Sequence, residues 1–153
     1  MEEKRMDKLL DETDSWDICD TLCGELFSNT TYADKKIGEW VKSDKEFVKR
    51  AGFAMIAYKA LRDPNASNSD FRLLFGAITA ASADDRNYVK KAASWALREI
   101  GKRNITLNAD AIKLAEEIGK SDSQAAQWVS KSVLSELKSD RVQKRLKEQT
   151  GHR

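Results

Sequence analysis

The chain has 153 residues, of which 34% are charged, with 27 lysines and arginines against 25 aspartates and glutamates. This length suits a single domain with a real hydrophobic core, and a formal net charge of +2 excludes any argument for a partner from total charge alone. One proline, seven glycines and many helix-forming residues favour an all-α protein.

Few side chains are suited to covalent, redox or metal chemistry. The only cysteines, Cys19 and Cys23, lie four residues apart on one predicted helix, where a disulfide would constrain almost nothing. We interpret them as reduced core thiols of a cytoplasmic protein. The sole histidine, His152, is next to the C-terminus, which argues against catalytic triads, His-ligated zinc and His-based acid–base catalysis. The charged residues 2–5 and the lack of a long apolar run predict neither a signal peptide nor a membrane span.

The helix predicted over residues 15–27 has the most unusual pattern in the chain. Asp14 or Ser15 is the expected N-cap. One stripe should face the core and contains Ile18, Cys19, Leu22 and Leu26. A second stripe lies beside it and contains Trp16, Asp20, Cys23 and Phe27. An acid between large aromatic residues is either a functional carboxylate or the structural partner of a neighbouring base or loop.

Helical spacing of apolar residues continues along the rest of the chain. Ser43 as N-cap and Glu46 three residues later predict a capping box that opens a long helix, which Pro64 ends. The acidic pair at 84–85 is expected to cap another helix, with Gly101 as its C-cap. The predicted helices cover residues 2–12, 15–27, 32–41, 43–63, 71–81, 84–101, 108–118, 123–137 and 141–147, and residues 65–70 form the most loop-like segment.

An internal repeat relates several of these helices. Residues 43–51 match residues 84–92 at an offset of 41. In both segments a capping residue is followed by an aromatic residue and then by a pair of basic residues. A weaker third copy follows 37 residues later, over residues 122–136. Helix pairs that repeat at about 40 residues predict a HEAT-like helical-repeat solenoid, an α-α superhelix that forms one domain over residues 1–153. The second helices of such pairs line a concave surface.

Basic residues fall in register on this predicted surface. Lys49, Arg50, Lys90 and Lys91 would line a positive groove if the repeat is correct, although lysines one turn inside a helix are as often simply solvated. Arg50 differs because Ala51 and Gly52 follow it and leave room for its planar guanidinium to lie toward a phosphate.

Three segments resemble a known family. They are residues 16–20 (Trp-Asp-Ile-Cys-Asp), residues 39–51, and residues 88–102, where a tyrosine, two lysines, a tryptophan and a Leu-Arg-Glu run follow in that order. Over about residues 14–102 the chain resembles the DNA alkylation repair enzymes, AlkD-like HEAT-repeat DNA glycosylases. The resemblance implies a monofunctional glycosylase, a hydrolase of base excision repair that releases N-alkylated purines such as 3-methyladenine and 7-methylguanine. It implies no cofactor and no metal.

The resemblance also assigns roles to residues. The catalytic acid falls on Asp20, the tryptophans that flank the damaged nucleotide on Trp16 and Trp95, and the phosphate-contacting arginine on Arg50. We add Lys49, Lys90 and Lys91 as DNA-binding residues from the groove argument. Asp20 is expected to face an open groove without a buried partner. Family members usually have further helix pairs before the Trp-x-x-x-Asp helix, so the resemblance implies an N-terminally shortened member.

The expected partner is double-stranded DNA with alkylated bases, bound by a monomer in the cytoplasm and at the nucleoid, without membrane contact. The alternative is a non-catalytic HEAT-like scaffold, derived from that family, that binds DNA or protein. Either way, Trp40 and Trp128 are predicted to be core residues, because a tryptophan at helical spacing usually packs inside.

Overall fold

The computed structural model describes residues 2–151, and His152 lies outside them. This range contains ten α-helices, one short 3₁₀ helix (Phe27–Asn29) and no strand, which confirms the all-α prediction. The α-helices are α1 (Glu3–Asp11), α2 (Trp16–Glu25), α3 (Ala33–Trp40), α4 (Glu46–Arg62), α5 (Asn68–Arg72), α6 (Phe75–Ser82), α7 (Asn87–Gly101), α8 (Ile105–Gly119), α9 (Gln124–Leu137) and α10 (Asp140–Gly151). Of the helices in this range, none has the length and apolar character needed to cross a membrane.

The helices pack in two layers. Layer A consists of α2, α4, α7 and α9, each packed against the next. Layer B consists of α3, α6 and α8, each packed against the layer A helix that follows it in the chain. At the two ends, α1 packs against α4, and α10 packs against α8 and α9. This succession of helix pairs is the architecture of a helical repeat, in which each unit buries its apolar face against its neighbours.

The same turn precedes three of the layer A helices. In each turn a backbone amide donates to the side-chain oxygen two residues earlier: Lys45 to Ser43 at 3.2 Å, Arg86 to Asp84 at 2.9 Å, and Ser123 to Ser121 at 3.1 Å. The helices that follow begin at residues 46, 87 and 124. The turns therefore repeat at the offsets of 41 and 37 residues that the sequence shows.

These turns correct the predicted caps. Ser43 and Asp84 bind the amide two residues on, so α4 and α7 begin without any side-chain cap, and the predicted capping box of Ser43 and Glu46 is wrong. A capping box occurs instead at Ser67 and Asp70, and it opens α5 inside the segment predicted as a loop. The helix predicted over residues 71–81 is accordingly two helices, α5 and α6, separated at residues 73–74.

Packing also corrects several predictions about single residues. Cys19, Cys23 and Trp40 are buried as expected, and Phe27 is buried as well, whereas Ile18 is 51% exposed, Leu26 37% and Trp128 39%. The helix α2 is the first of layer A and has a layer A neighbour on one side only, so the side that bears Ile18 stays uncovered. Gly101 is the last residue of α7 rather than its C-cap, and a Cβ atom there would collide with Leu137 of α9.

Candidate active site on layer A

Asp20 of α2 and Arg50 of α4 form an ion pair with two hydrogen bonds. Arg50 Nε donates to Asp20 Oδ1 at 2.9 Å and Nη2 to Oδ2 at 2.7 Å, while Nη1 donates to the backbone carbonyl of Tyr88 at 2.8 Å. Arg50 is buried, with 7% of its surface exposed, whereas 18% of the Asp20 side chain remains accessible. Such paired bonds fix the plane of the carboxylate, and each of its oxygens keeps a further lone pair.

These contacts differ from the expected surroundings of both residues. Asp20 has a buried partner, where the sequence suggested an open groove without one. Arg50 is directed at Asp20 and at the backbone of α7 rather than outward. The small residue Gly52 serves packing instead, because a Cβ atom there would lie 2.7 Å from the backbone nitrogen of Val41.

Trp16 lies beside this ion pair. It is the first residue of α2, one turn before Asp20 on the same face of the helix, and 47% of its surface is exposed. Its ring centroid is 5.9 Å from Cζ of Arg50, within the range of a cation–π contact. Trp16 therefore presents an open indole face next to the carboxylate.

Trp95 of α7 packs against Tyr58 of α4, a residue that the sequence analysis did not single out. The rings of Tyr58 and Trp95 have centroids 5.3 Å apart at an interplanar angle of 82°. Burial raises the pKa of Tyr58, and the negative charge of Asp20 raises it further. Arg62 also lies over the Tyr58 ring, with Cζ 4.5 Å from the ring centroid.

Gly24 is the feature of the sequence that could have indicated the close approach of Tyr58. It lies one turn after Asp20 on the same face of α2, where the absence of a side chain indicates a close approach. A Cβ atom at Gly24 would lie 2.7 Å from Cζ of the Tyr58 ring, and Arg62 Nη1 donates to the Gly24 carbonyl at 2.7 Å. The glycine thus lets α2 and α4 approach at the edge of the site.

The four predicted basic residues are in different environments. Lys49 pairs with Asp84 at 3.4 Å, and hydrogen bonds from Arg86, the larger effect, and from Lys49 lower the pKa of Asp84 well below its ordinary value. Lys90 Nζ lies 5.2 Å from the ring centroid of Trp128, and Lys91 is exposed. The positive charge of Lys49 is therefore already paired with an acidic side chain of the protein, as is the charge of Arg50.

The family model of the DNA alkylation repair enzymes matches residues 2–137 of this chain. The chain belongs to the DNA alkylation repair enzyme family. The match confirms the resemblance seen in three segments and covers helices α1 to α9. Membership supports a role in the repair of alkylated DNA. No curated protein and no solved structure matches the sequence.

In this DNA alkylation repair protein, the two cysteines are packing residues whose thiols bind backbone carbonyls. The thiols of Cys19 and Cys23 donate to the carbonyls of Phe47 and Ala51 at 3.2 and 3.7 Å. Hydrogen bonding with Cys19, together with burial, raises the pKa of the Cys23 thiol, so it stays protonated. Across residues 2–151, no cluster of three or more histidines, cysteines or acids has the geometry to hold a metal ion.

Proposed function

We propose that this protein is a monofunctional DNA glycosylase that hydrolyses the N-glycosidic bond of N-alkylated purines, of the 3-methyladenine and 7-methylguanine type, in duplex DNA. The observation that carries the proposal is the Asp20 carboxylate, held in place by the buried Arg50 and flanked by the exposed ring of Trp16. Membership in the DNA alkylation repair enzyme family supplies the substrate class, alkylated DNA.

The reaction needs an oriented negative charge more than it needs an acid. An N-alkylated purine is a cation, so the breaking bond returns its electron pair to the base, which leaves neutral without protonation. Positive charge then develops on the deoxyribose, where a fixed carboxylate such as Asp20 stabilises it in a site with limited water. Water adds to the sugar carbon and gives up a proton, for which the remaining lone pairs of Asp20 are the acceptor.

The other site residues support this role for Asp20. Arg50 fixes the carboxylate, and its two remaining N–H groups are the ones that could reach a phosphate. The indole of Trp16 offers a π face to the cationic sugar or base. Trp95, braced by Tyr58, forms the wall on the α7 side and excludes water from the sugar.

The decisive experiment compares two matched substitutions on α2. Asp20→Asn removes the charge with little change of shape, and Asp17→Asn makes the same change at an exposed position three residues away. We expect release of 7-methylguanine from a methylated duplex, measured in single turnover per folded molecule, to fall on the order of 10²-fold in Asp20→Asn. Asp17→Asn should remain within about threefold of the unmodified protein, because Asp17 lies outside the site.

A non-catalytic DNA-binding scaffold is the second candidate function. It is favoured by one observation, that the Asp20 carboxylate already has a complete ion pair with Arg50, as a purely structural acid would. A scaffold binds methylated duplex and releases no base. If the unmodified protein binds but shows no release above the spontaneous rate, the glycosylase proposal is lost and the scaffold function stands.

A further inference from the structure

Trp128 is an exposed tryptophan on layer A that the proposed active site does not use. It lies on α9, and 39% of its surface is accessible, a large fraction for a residue type that normally packs inside. Trp16 and Trp128, the two most exposed tryptophans of the described chain, both lie on layer A, on its first and last helices.

The register of layer A puts Trp128 on the same face as the proposed active site. Asp20, Arg50, Lys91 and Trp128 are each the fifth residue of their helices, which are α2, α4, α7 and α9. Because the turns before α4, α7 and α9 share one geometry, their fifth residues hold equivalent positions along the stack. Trp95 lies one turn after Lys91 and so belongs to this face as well.

The surroundings of Trp128 are cationic. Lys90 Nζ lies 5.2 Å from its ring centroid, and the neighbouring Lys91 and Lys131 are exposed. Within residues 2–151 these three lysines take part in no salt bridge, unlike Lys49, which is matched by Asp84. From residue 87 to 98 of α7 and from residue 124 to 135 of α9, every charged side chain is basic.

We propose that Trp128, with Lys90 and Lys91, forms a second contact with duplex DNA, against the sugar–phosphate backbone of undamaged DNA beside the lesion. An exposed indole with Lys90 beside it, and with further unpaired lysines on the same two helices, suits an anionic partner with flat apolar surfaces, which the sugar and phosphate of DNA provide. The inference rests on the proposed function only in that both use the same DNA-facing side of layer A.

The spacing of the helices sets where this contact falls. Packed helices are separated by roughly 8–10 Å, so two steps from α4 to α9 put Trp128 about 16–20 Å from Arg50. At about 3.4 Å per base pair, this is about five or six base pairs from the damaged nucleotide. Trp128 is thus a binding contact in the flanking duplex and touches neither the lesion nor the reacting atoms.

The test is binding to undamaged duplex, which is independent of base release. We expect Trp128→Ala to weaken binding to a 21-base-pair duplex about five- to tenfold, and Trp128→Phe to keep most of the affinity. Lys113→Ala is the control for the other layer. It removes an exposed lysine from α8 in layer B and should bind like the unmodified protein. If Trp128→Ala does not fold, Trp128→Leu is used in its place, because leucine keeps an apolar side chain but lacks the aromatic ring.

Duplex length gives the second arm of the test. On a duplex cut to about four base pairs on each side of a central lesion, the unmodified protein should lose its advantage over Trp128→Ala, because the flanking contact is gone. The inference is overturned if Trp128→Ala, or Trp128→Leu in its place, binds the long duplex within twofold of the affinity of the unmodified protein. If the variant binds equally well and the unmodified protein releases base, the inference fails and the glycosylase proposal stands. If the variant binds more weakly and the unmodified protein releases no base, the inference stands and the glycosylase proposal fails.

Discussion

Among single residues, Asp20 is expected to contribute to the stability of the fold as well as to the proposed chemistry. Its carboxylate accepts two hydrogen bonds from the guanidinium of Arg50, a residue that is 7% exposed, and the third hydrogen bond of that guanidinium goes to a backbone carbonyl. A charged donor left without its partner in such a position loses its hydrogen bonds and does not regain full hydration. Catalytic measurements on Asp20 variants therefore need to be referred to the folded fraction.

Asp20→Asn is expected to lower the free energy of unfolding by about 1–3 kcal/mol, because Arg50 keeps one weaker acceptor in place of a charged one. Asp17→Asn, whose carboxylate is exposed and accepts a hydrogen bond from the amide of Ile18, should change the stability much less. Urea titration of both proteins measures the difference. Equal stability of the two variants would mean that the Asp20–Arg50 pair contributes nothing to the fold.

Glycine substitutions test the contact between α2 and Tyr58. Gly24→Ala places a Cβ atom 2.7 Å from the Tyr58 ring, so the ring must shift against Trp95, and we expect a loss of about 1–3 kcal/mol and reduced base release. Gly38→Ala in α3 meets no atom within 4 Å and should stabilise the helix by about 0.5–1 kcal/mol. Thermal denaturation and base-release assays on the Gly24→Ala and Gly38→Ala variants test both expectations. A Gly24→Ala protein as active and stable as the original would show that Tyr58 does not support the site.

At the scale of elements, α1 is attached to α3 through a buried lysine. Lys36 of α3 is 2% exposed, and its Nζ lies 2.7 Å from Asp7, 2.9 Å from Glu39 and 3.2 Å from Glu3. The indole of Trp40 also donates to Asp7 at 3.0 Å. Two of these three acids belong to α1, so this cluster, with the buried Met6 and Leu10, holds α1 in place.

Lys36→Met should lower the free energy of unfolding by about 2–3 kcal/mol, since it leaves three clustered carboxylates without their shared cation. Lys35→Met is the control: Lys35 is 59% exposed and pairs with Glu3 alone, and such solvent-screened surface pairs contribute little to stability. Urea titration at pH 7 distinguishes them. Similar losses in both variants would show that burial of Lys36 does not matter.

The same cluster predicts a response to acid. Burial acts to raise the pKa of Asp7, but hydrogen bonds from Lys36 and Trp40 outweigh it and lower this pKa below the ordinary 3.8. Because the folded value is the lower one, this stabilisation is complete above about pH 4 and is lost as the pH falls through the folded value. The indole N–H resonance of Trp40 should report the transition, and Lys36→Met should move its midpoint upward. An unchanged midpoint in that variant would contradict the assignment.

At the scale of the whole molecule, the basic residues of layer A separate into matched and unmatched ones. Lys49 and Arg86 share Asp84, and Arg50 is bound to Asp20, whereas Lys91 makes no ion pair within the described residues. Only an unmatched cation releases a full counterion from DNA when it meets a phosphate. The sequence predicted Lys49, Arg50, Lys90 and Lys91 in one positive groove, and the packing places them in different environments.

Salt dependence of duplex binding tests this division. In a plot of log affinity against log salt concentration, Lys91→Ala should reduce the slope by roughly 0.9, and Lys49→Ala should reduce it by clearly less, because Lys49 already has an acidic partner. Fluorescence anisotropy between about 50 and 200 mM salt gives both slopes. Equal reductions would mean that the Lys49–Asp84 pair opens on DNA, and no reduction in Lys91→Ala would remove Lys91 from the interface.

The helical class, the repeat and the family could be inferred from local sequence patterns. Apolar residues at helical spacing, with few glycines and one proline, favour helices, and the repeated segments at 43–51 and 84–92 predicted the register that the turns confirm. The residue types of residues 16–20 and 88–102 were distinctive enough to indicate a DNA alkylation repair protein. These features are local, so they can be read without knowing which elements meet.

The coverage of each helix face and the pairing of side chains could not be inferred in this way, because they depend on how the helices pack. The spacing of Ile18 and Trp128 gives their direction around a helix, but their exposure depends on whether a neighbouring helix lies there. The Asp20–Arg50 pair joins residues 30 positions apart, and Tyr58 reaches the site only because Gly24 lets α2 approach α4. Periodicity sets the direction of a side chain within its own helix, whereas burial and pairing depend on the packing of helices distant in the sequence.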